Sequence, residues 1–380
     1  MNYRTFKAAG IDVSLLGFGA MRLPVIDGDP GKIIEDEAIR MIRHAIDNGV
    51  NYIDTAYVYH KTLGEALVGK ALKDGYREKT LVATKLPYWL LNGPEDFEAT
   101  FNEQLEKLQV DCIDMYLLHD IANAERWNMV KDWKLFDALM KKRDSGKIRF
   151  IGFSFHGETP AEFIEVIDEY PWDFCQLQIN YMDKNLQAGV EGYEYAVAKG
   201  IPIVVMEPLK GGKLTDVMPP SVMKYWSGLG SGRSPAEWAF RWVANLPGVL
   251  TILSGMSTME QLEENLRIFS DPGTDEGKLT EAELAIIDTA ADEYRKLIPY
   301  HCTACKYCLP CTEGILIPQV MDFRNFCDLY GKTAKLRAEF NFFVKVKPSN
   351  CSACGKCEAE CPQHLEIIQA MKEASDLLED

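Results

Sequence analysis

No apolar run in this 380-residue chain approaches the length needed to cross a bilayer, about 20 residues. Met1 to Lys7 holds no hydrophobic core of the kind a secretory leader needs, so the chain is expected to be soluble and cytoplasmic, with no membrane as partner. Basic residues are in deficit: 41 Lys and Arg against 57 Asp and Glu leave a net charge of −16, which argues against nucleic acid as a partner. That charge is compatible with a basic redox partner protein, and equally with plain solubility. Collagen-like, low-complexity and block-charge segments are missing. So is a complete dinucleotide fingerprint: Gly17-Phe-Gly19-Ala-Met-Arg22 is a partial Gly-x-Gly with no helical pattern behind it. No motif identifies a flavin site, although a flavin need not announce itself.

What is there is an apolar content of 47%, enough to fill one large α/β domain with a small appendage. From Asn51 to Gly255 short apolar runs alternate with stretches at helical period, the pattern of repeated βα units on a parallel sheet. Strands are expected at 15–19, 51–54, 81–85, 113–119, 148–154, 174–180, 201–207 and 251–254. Their near-continuous apolar character suits strands covered on both faces. Eight units in one domain-sized stretch imply a closed (β/α)8 barrel, with an open doubly wound sheet the alternative that periodicity leaves standing. Arg4 to Phe6 and Ile11 to Val13, flanking Ala8-Ala9-Gly10, read as an N-terminal hairpin that plugs one end of the barrel. Thr280 and Glu283 form a capping-box pattern opening a helix that Pro299 ends, which puts the domain boundary at 298/299.

The segment 299–380 is dominated by cysteine. Eight of the chain's eleven fall in two runs, Cys302, Cys305, Cys308 and Cys311, then Cys351, Cys354, Cys357 and Cys361 followed by Pro362. A Cys-x-x-Cys-x-x-Cys turn converges three thiolates on one iron–sulfur cluster, and in two-cluster ferredoxins the fourth cysteine of each run serves the other cluster. Two [4Fe–4S] clusters follow, Cys361 completing the first and Cys311 the second. The first run departs from the usual spacing, since its last gap is two residues and Thr312 replaces proline, so the spacing supports Cys311 least. Zinc on two four-thiolate sites and a disulfide framework are the competing readings. A third cysteine at the next two-residue gap and the lack of a secretion signal favour iron–sulfur. Cys112, Cys175 and Cys327 sit among apolar residues and read as small buried hydrophobes. The stretch 317–330, the basic segment 332–347 and a last helix near 365–378 favour a mainly helical ferredoxin-like module over a small β type.

In a (β/α)8 barrel the active site forms at the C-terminal ends of the strands. Asp54, Lys85 and His119 close the second, third and fourth expected strands, and Tyr59 follows in the loop after Asp54. Singly, each has a dull explanation. Together they outline a site that reduces a carbonyl: Tyr59 donates a proton to the oxygen, Lys85 makes its phenolate accessible, Asp54 holds Lys85, and His119 orients the substrate. Tyr57, Tyr88, Trp89 and Trp127 are candidates for an aromatic substrate pocket, and 211–234, ending in Gly228, Gly230 and Gly232, for a lid or a mobile connection.

On these residues the chain resembles the aldo-keto reductase family, over roughly residues 3–297. Asn51-Tyr-Ile-Asp-Thr-Ala-Tyr-Val-Tyr59 with Gly64-Glu-Ala-Leu-Val-Gly69, Val82-Ala-Thr-Lys85 and Asp114-Met-Tyr-Leu-Leu-His119 carry the resemblance. With the cysteine tail, the chain resembles the subgroup bearing a C-terminal 4Fe–4S ferredoxin-type domain. The resemblance implies NADP(H) or NAD(H) as cofactor and a small carbonyl or alcohol as substrate. It places Gly19, Met21 and Arg22 at the cofactor, Ser154, Gln178, Asn180 and Tyr181 around the nicotinamide, and Ser254, Gly255, Ser257, Gln261 and Asn265 in the adenosine-phosphate loop. Phe155 and His156 follow Ser154 where many relatives carry Asn, and Thr258 stands where many carry an Arg for the 2′-phosphate.

Hydride transfer moves two electrons, whereas a [4Fe–4S] cluster ordinarily exchanges one, so the clusters are auxiliary to the barrel chemistry unless a flavin intervenes. The expected activity is NAD(P)H-dependent reduction of an aldehyde or ketone, or oxidation of the alcohol. The alternative is an electron-transfer or redox-sensing protein whose barrel binds a flavin or nicotinamide without carbonyl turnover.

Overall fold

A computed structural model describes residues 1–157, 159–215, 219–228, 232–300, 302, 308–361 and 365–379. The strands are β1 (Tyr3–Phe6), β2 (Ile11–Ser14), β3 (Leu16–Gly19), β4 (Tyr52–Asp54), β5 (Leu81–Leu86), β6 (Ile113–Ile121), β7 (Ile148–Phe155), β8 (Phe174–Gln178), β9 (Ile203–Met206) and β10 (Val249–Ser254). The helices are α1 (Glu35–Asp47), α2 (Gly64–Ala71), α3 (Asp96–Leu108), α4 (Ala124–Asp132), α5 (Leu135–Asp144), α6 (Pro160–Glu169), α7 (Gly189–Ala198), α8 (Pro220–Gly228), α9 (Pro235–Ala244), α10 (Met259–Ser270), α11 (Glu281–Lys296), α12 (Ile317–Tyr330), α13 (Ala334–Phe343), α14 (Lys356–Ala359) and α15 (Ile367–Leu378). The chain divides into two units, Met1–Gly212 with Ala236–Thr280, and Lys213–Pro235 with Glu281–Asp380.

The first unit is the barrel. Strands β3 to β10 are parallel neighbours in chain order, and β10 closes on β3. Closure excludes the open sheet. All six residues of β5 are buried, as a strand covered on both faces requires. The hairpin of β1 and β2 sends Phe6 and Val13 into one buried cluster with Tyr52, Ala83, Met115 and Val204, so its apolar residues stopper the barrel interior. Outside, α1 buries Ala38, Met41, Ile42 and Ala45, the stripe at i, i+3, i+4 and i+7. Helices α2 and α3 meet backbone to backbone at Gly69, where a Cβ would lie 2.5 Å from the Lys107 carbonyl oxygen. Only glycine permits that approach. The β6–β7 register slips between Leu118 and Ile121, and Asp120 takes a φ of 55°. The slip re-aims the chain at His119, which strand alternation alone would not predict.

The second unit is helical, with no strand among its described residues. Helix α12 packs against α15 and α13, and α8 against α11. Asn325 brackets Tyr300, accepting from its N–H at 3.1 Å and donating to its carbonyl at 2.7 Å. The Tyr330 and Tyr294 hydroxyls meet each other and both donate to the Lys213 carbonyl. Within 211–234, residues 220–228 form α8, so this stretch carries its own helix; Gly230 lies outside the described residues. Among the described residues no helix is long and apolar enough to cross a membrane.

Candidate functional site

The four residues singled out at the strand ends converge. The Lys85 ammonium, wholly buried, donates to both carboxylate oxygens of Asp54 and to the Thr55 carbonyl, each at 2.8 Å. Its Nζ stands 3.5 Å from the Tyr59 hydroxyl, and the Tyr59 and His119 rings meet edge to face at 6.1 Å. Desolvation opposes the charge on Lys85, but Asp54 and Tyr59 outweigh it and hold the ammonium above its ordinary range. Burial raises the Asp54 carboxyl above its ordinary range against the pull of Lys85, which bonds both of its oxygens. For Tyr59, burial outweighs the pull of Lys85 and raises the phenol, so the lowered phenolate anticipated from the sequence is replaced by a firmly protonated hydroxyl. Burial first, then the nearby cations, hold His119 neutral, well below its usual range. Its Nδ1 is buried and, among the described residues, unpartnered.

Behind Lys85 lies a buried polar network the sequence did not disclose. Gln104 on α3 donates to the Lys85 carbonyl at 3.0 Å and to Glu65 at 2.7 Å, and accepts from the Tyr116 hydroxyl. Glu65 also accepts from the Thr84 hydroxyl at 2.6 Å, and burial raises its carboxyl. These contacts fix the end of β5 and thereby the root of the Lys85 side chain.

The residues expected around a nicotinamide also gather at strand ends. Ser154 Oγ accepts from the Asp120 N–H at 2.8 Å, which leaves its own hydrogen to donate. The Gln178 and Asn180 amides donate to one carboxylate oxygen of Asp183, each at 3.1 Å, while Lys210 donates to the other at 2.6 Å. Asn180 reaches on to the Glu207 carbonyl, and Tyr181 is buried beside it. At the first strand, Gly19 lies against the Ser254 carbonyl, Met21 is exposed, and Arg22 pairs with Glu207 at 3.3 Å. Gly255 lies close against the Arg22 stem, where a Cβ would come to 3.0 Å. The Ser257 hydroxyl donates to the Arg22 carbonyl, and its N–H donates to Gln261, whose own N–H is capped by Thr258. Asn265 donates to Ser254 at 2.9 Å, pinning β10 to α10.

Of the four aromatic candidates, Trp89 faces the site, its ring 5.1 Å from that of His119, with Tyr88 packed behind it. Trp127 turns away to Tyr170 and Glu165, and Tyr57 to Glu103 and Lys107, so neither lines a pocket with His119. Sequence reasoning passed over Asp120, Arg126, Asp183, Glu207 and Lys210, and gave His156 no role of its own. Arg126 lies 4.3 Å over the Trp89 ring and pairs with Asp120. His156, kept neutral by burial, feels Asp120, Glu207 and Lys85 and meets Gln187. Position at a strand end was the one signal that could have found them.

In the second unit, Cys308, Cys311, Cys351, Cys354 and Cys357 line one pocket, backed by Ile368 and Met371. Cys311, Cys351, Cys354, Cys357 and Cys361 are free thiols, Cys302 and Cys308 are partly buried, and Cys305 lies outside the described residues. Among the described residues no three His, Cys, Asp or Glu side chains stand close enough to hold one metal ion. Cys175 and Cys327 are buried as expected, and Cys112 is partly buried.

A closed (β/α)8 barrel with a buried Lys–Asp pair, a tyrosine and a neutral histidine near its strand ends is the scaffold of an enzyme whose polar site lies at the C-terminal ends of its strands. The Aldo/keto reductase family model matches residues 15–224 and 227–291. The chain belongs to that family, and is an NAD(P)H-dependent oxidoreductase of the aldo-keto reductase type. An L-galactose dehydrogenase of Arabidopsis thaliana is 28% identical over 302 residues, 74% of this chain and 92% of that protein. An aldo-keto reductase from Bacillus halodurans, in its holo form, superposes with a TM-score of 0.62 at 24% identity, over 76% of this chain and 96% of that one. One from Klebsiella pneumoniae in complex with NADPH gives 0.61 at 22%, over 76% and 95%. These two likenesses concern the fold.

Proposed function

We propose that the barrel reduces an aldehyde or ketone, or oxidises the corresponding alcohol, with Tyr59 as proton donor and acceptor. The observation that carries this reading is the Lys85 ammonium, bonded to Asp54 at 2.8 Å and standing 3.5 Å from the Tyr59 hydroxyl. A nicotinamide supplies the hydride when bound. Tyr59, protonated at neutral pH, hands its proton to the carbonyl oxygen as negative charge grows there, and Lys85 stabilises the phenolate left behind. Neutral His119 holds the same oxygen, and Trp89 against its ring fixes that imidazole's tilt and narrows the entrance.

The residues fit a nicotinamide dinucleotide. The Ser154 hydroxyl still has a hydrogen to give and Gln178 an amide oxygen to receive, the two partners a carboxamide needs. Backbone N–H groups at the start of the twelve-residue helix α10 suit phosphate. The NADPH complex of the Klebsiella neighbour supports NADP(H) as the nucleotide, although Thr258 here caps α10. Comparison of KM for NADPH and NADH decides between the two, and L-galactose is the first alcohol to try, given the Arabidopsis relative.

The same proposal extends to residues 299–380 as a ferredoxin-type domain holding two [4Fe–4S] clusters. Support comes from the pocket in which Cys351, Cys354 and Cys357 are joined by Cys311, the set the crossed pattern assigns to the second cluster, with Cys308 of the other set also on its wall. A cluster spans more than one ion, so its thiolates stand further apart than those of a mononuclear site, and the missing single-ion group does not count against it. Cys302, Cys305, Cys308 and Cys361 would hold the first. Bound clusters supply one-electron chemistry.

Tyr59→Phe tests the barrel assignment. Carbonyl-dependent NAD(P)H oxidation is expected to fall by about 100-fold or more, with nucleotide affinity within about two-fold of the parent. Full activity in that variant would remove Tyr59 from the reaction.

A further inference from the structure

The segment 332–347 is a basic island, with Lys332, Lys335, Arg337, Lys345 and Lys347 against the single acid Glu339, in a chain of net charge −16. The residues after it, 348–380, hold seven acids and two lysines. Helix α13 buries Leu336 and Phe340 inward, Phe340 meeting Phe323 of α12 at 5.5 Å. Its C-terminal end turns Phe342 and Phe343 outward, each 51% exposed and stacked edge to face at 4.9 Å. Two adjacent exposed phenylalanines are costly to solvate unless something covers them.

Two lysines of the segment lie close by. Lys345 donates to the Phe342 carbonyl and lies 5.2 Å from its ring, and Lys347 donates to Asn341 and lies 4.4 Å over Phe340. Among the described residues, none of Lys332, Lys335, Lys345 and Lys347 has a carboxylate partner. The patch also adjoins the cysteine pocket. A Cβ on Gly314 would touch Val346 at 3.7 Å, Thr312 and Ile315 line the pocket on either side of that contact, and Lys347 leads through Pro348–Asn350 into Cys351.

We propose that Phe342 and Phe343, beside Lys345 and within the basic segment 332–347, form the docking surface for an acidic one-electron carrier protein. The inference rests on the iron–sulfur reading of the neighbouring pocket. A small apolar centre with a one-sign charged rim suits a transient redox encounter, which needs speed and orientation more than area. One electron leaves the carrier's reduced centre and enters the cluster, whose charge falls by one; no bond or proton is exchanged. The outward apolar surface is two side chains at one helix end, too little to embed in a bilayer, so a protein is favoured over a membrane.

The test uses the full chain, purified anaerobically, with iron and sulfide quantified. The probe is an acidic flavodoxin, its binding followed by calorimetry at low and physiological salt and its semiquinone oxidation by stopped flow. The double variant Lys345→Glu, Lys347→Glu is expected to weaken binding at low salt at least ten-fold and to flatten the salt dependence. Phe342→Ser with Phe343→Ser is expected to weaken it with the salt dependence kept. Both variants should leave carbonyl reduction unchanged. Equal flavodoxin affinity in parent and variants overturns the proposal, as does binding to phosphatidylserine vesicles or self-association that the same variants abolish in place of flavodoxin binding. Absence of iron and sulfide overturns the iron–sulfur reading, and the calorimetry still decides the surface. Clusters that dithionite bleaches, with unaltered flavodoxin binding in the variants, defeat the docking surface alone.

Discussion

Asp54→Asn removes one charge from a pair that water does not reach. The substitution keeps the side-chain shape and one acceptor oxygen but turns the other into an amide donor facing the Lys85 ammonium, whose remaining partners are the Thr55 carbonyl at 2.8 Å and the Tyr59 hydroxyl at 3.5 Å. Breaking a buried ion pair from one side costs about 3–5 kcal/mol. Lys85 can limit that cost by losing its proton. At pH 7.5, giving up a proton from a group of ordinary pKa about 10.4 costs about 4 kcal/mol, and about 2 kcal/mol at pH 9, since each pH unit is worth about 1.4 kcal/mol. In the parent, the folded state holds Lys85 above its ordinary range, so its contribution is fully present below about pH 10.4 and is lost only as the pH rises past that. In the variant, desolvation is no longer opposed by Asp54 and the folded lysine is neutral. The unfolded chain then binds the extra proton, and stability rises with pH. The expected deficit against the parent is therefore about 4 kcal/mol at pH 7.5 and about 2 kcal/mol at pH 9, read by pulse proteolysis in urea at both. A deficit below about 1 kcal/mol, or one equal at the two pH values, would refute the burial of this pair.

Two further outcomes follow from the same structure. Cys311→Ala should lower the iron content from about eight to about four per chain, and unchanged iron would show that Cys311 is no ligand. His119 is held well below its ordinary range, so its stabilising neutrality is present above about pH 6.5 and is lost as the pH falls from there toward the folded value. The parent should lose stability from this group between pH 7.5 and 5.5, by at most about 1.4 kcal/mol, and His119→Gln should be less pH-sensitive over that range; identical pH profiles would contradict the buried, neutral imidazole.

Most of the barrel was legible because buried parallel strands write themselves as apolar runs. The expected strand at 81–85 is β5 one residue short, and 317–330 matches α12 at both ends. Boundaries failed where side chains no longer distinguish strand from loop: 174–180 ends at Gln178, since Asn180 bonds to the Met182 and Asp183 N–H groups in a turn. The aromatic residues failed for a different reason. Trp89 and Trp127 both follow strand ends, and nothing local tells that one turns to His119 and the other to Glu165.

The sequence by itself determined the eightfold βα order, the polar residues near its strand ends, and the paired cysteine runs, because periodicity and spacing are local properties of a chain. Tertiary structure decided what those residues become. Pairing of β4 with β5 brings Asp54 and Lys85 together where both are buried, and there charge is kept on the lysine and withheld from His119 and the Tyr59 oxygen. Packing within the second unit likewise gathers Cys311, the residue of irregular spacing, with Cys351, Cys354 and Cys357, forty and more positions away. Desolvation and convergence arise only between segments distant in sequence, so no reading of one segment at a time contains them.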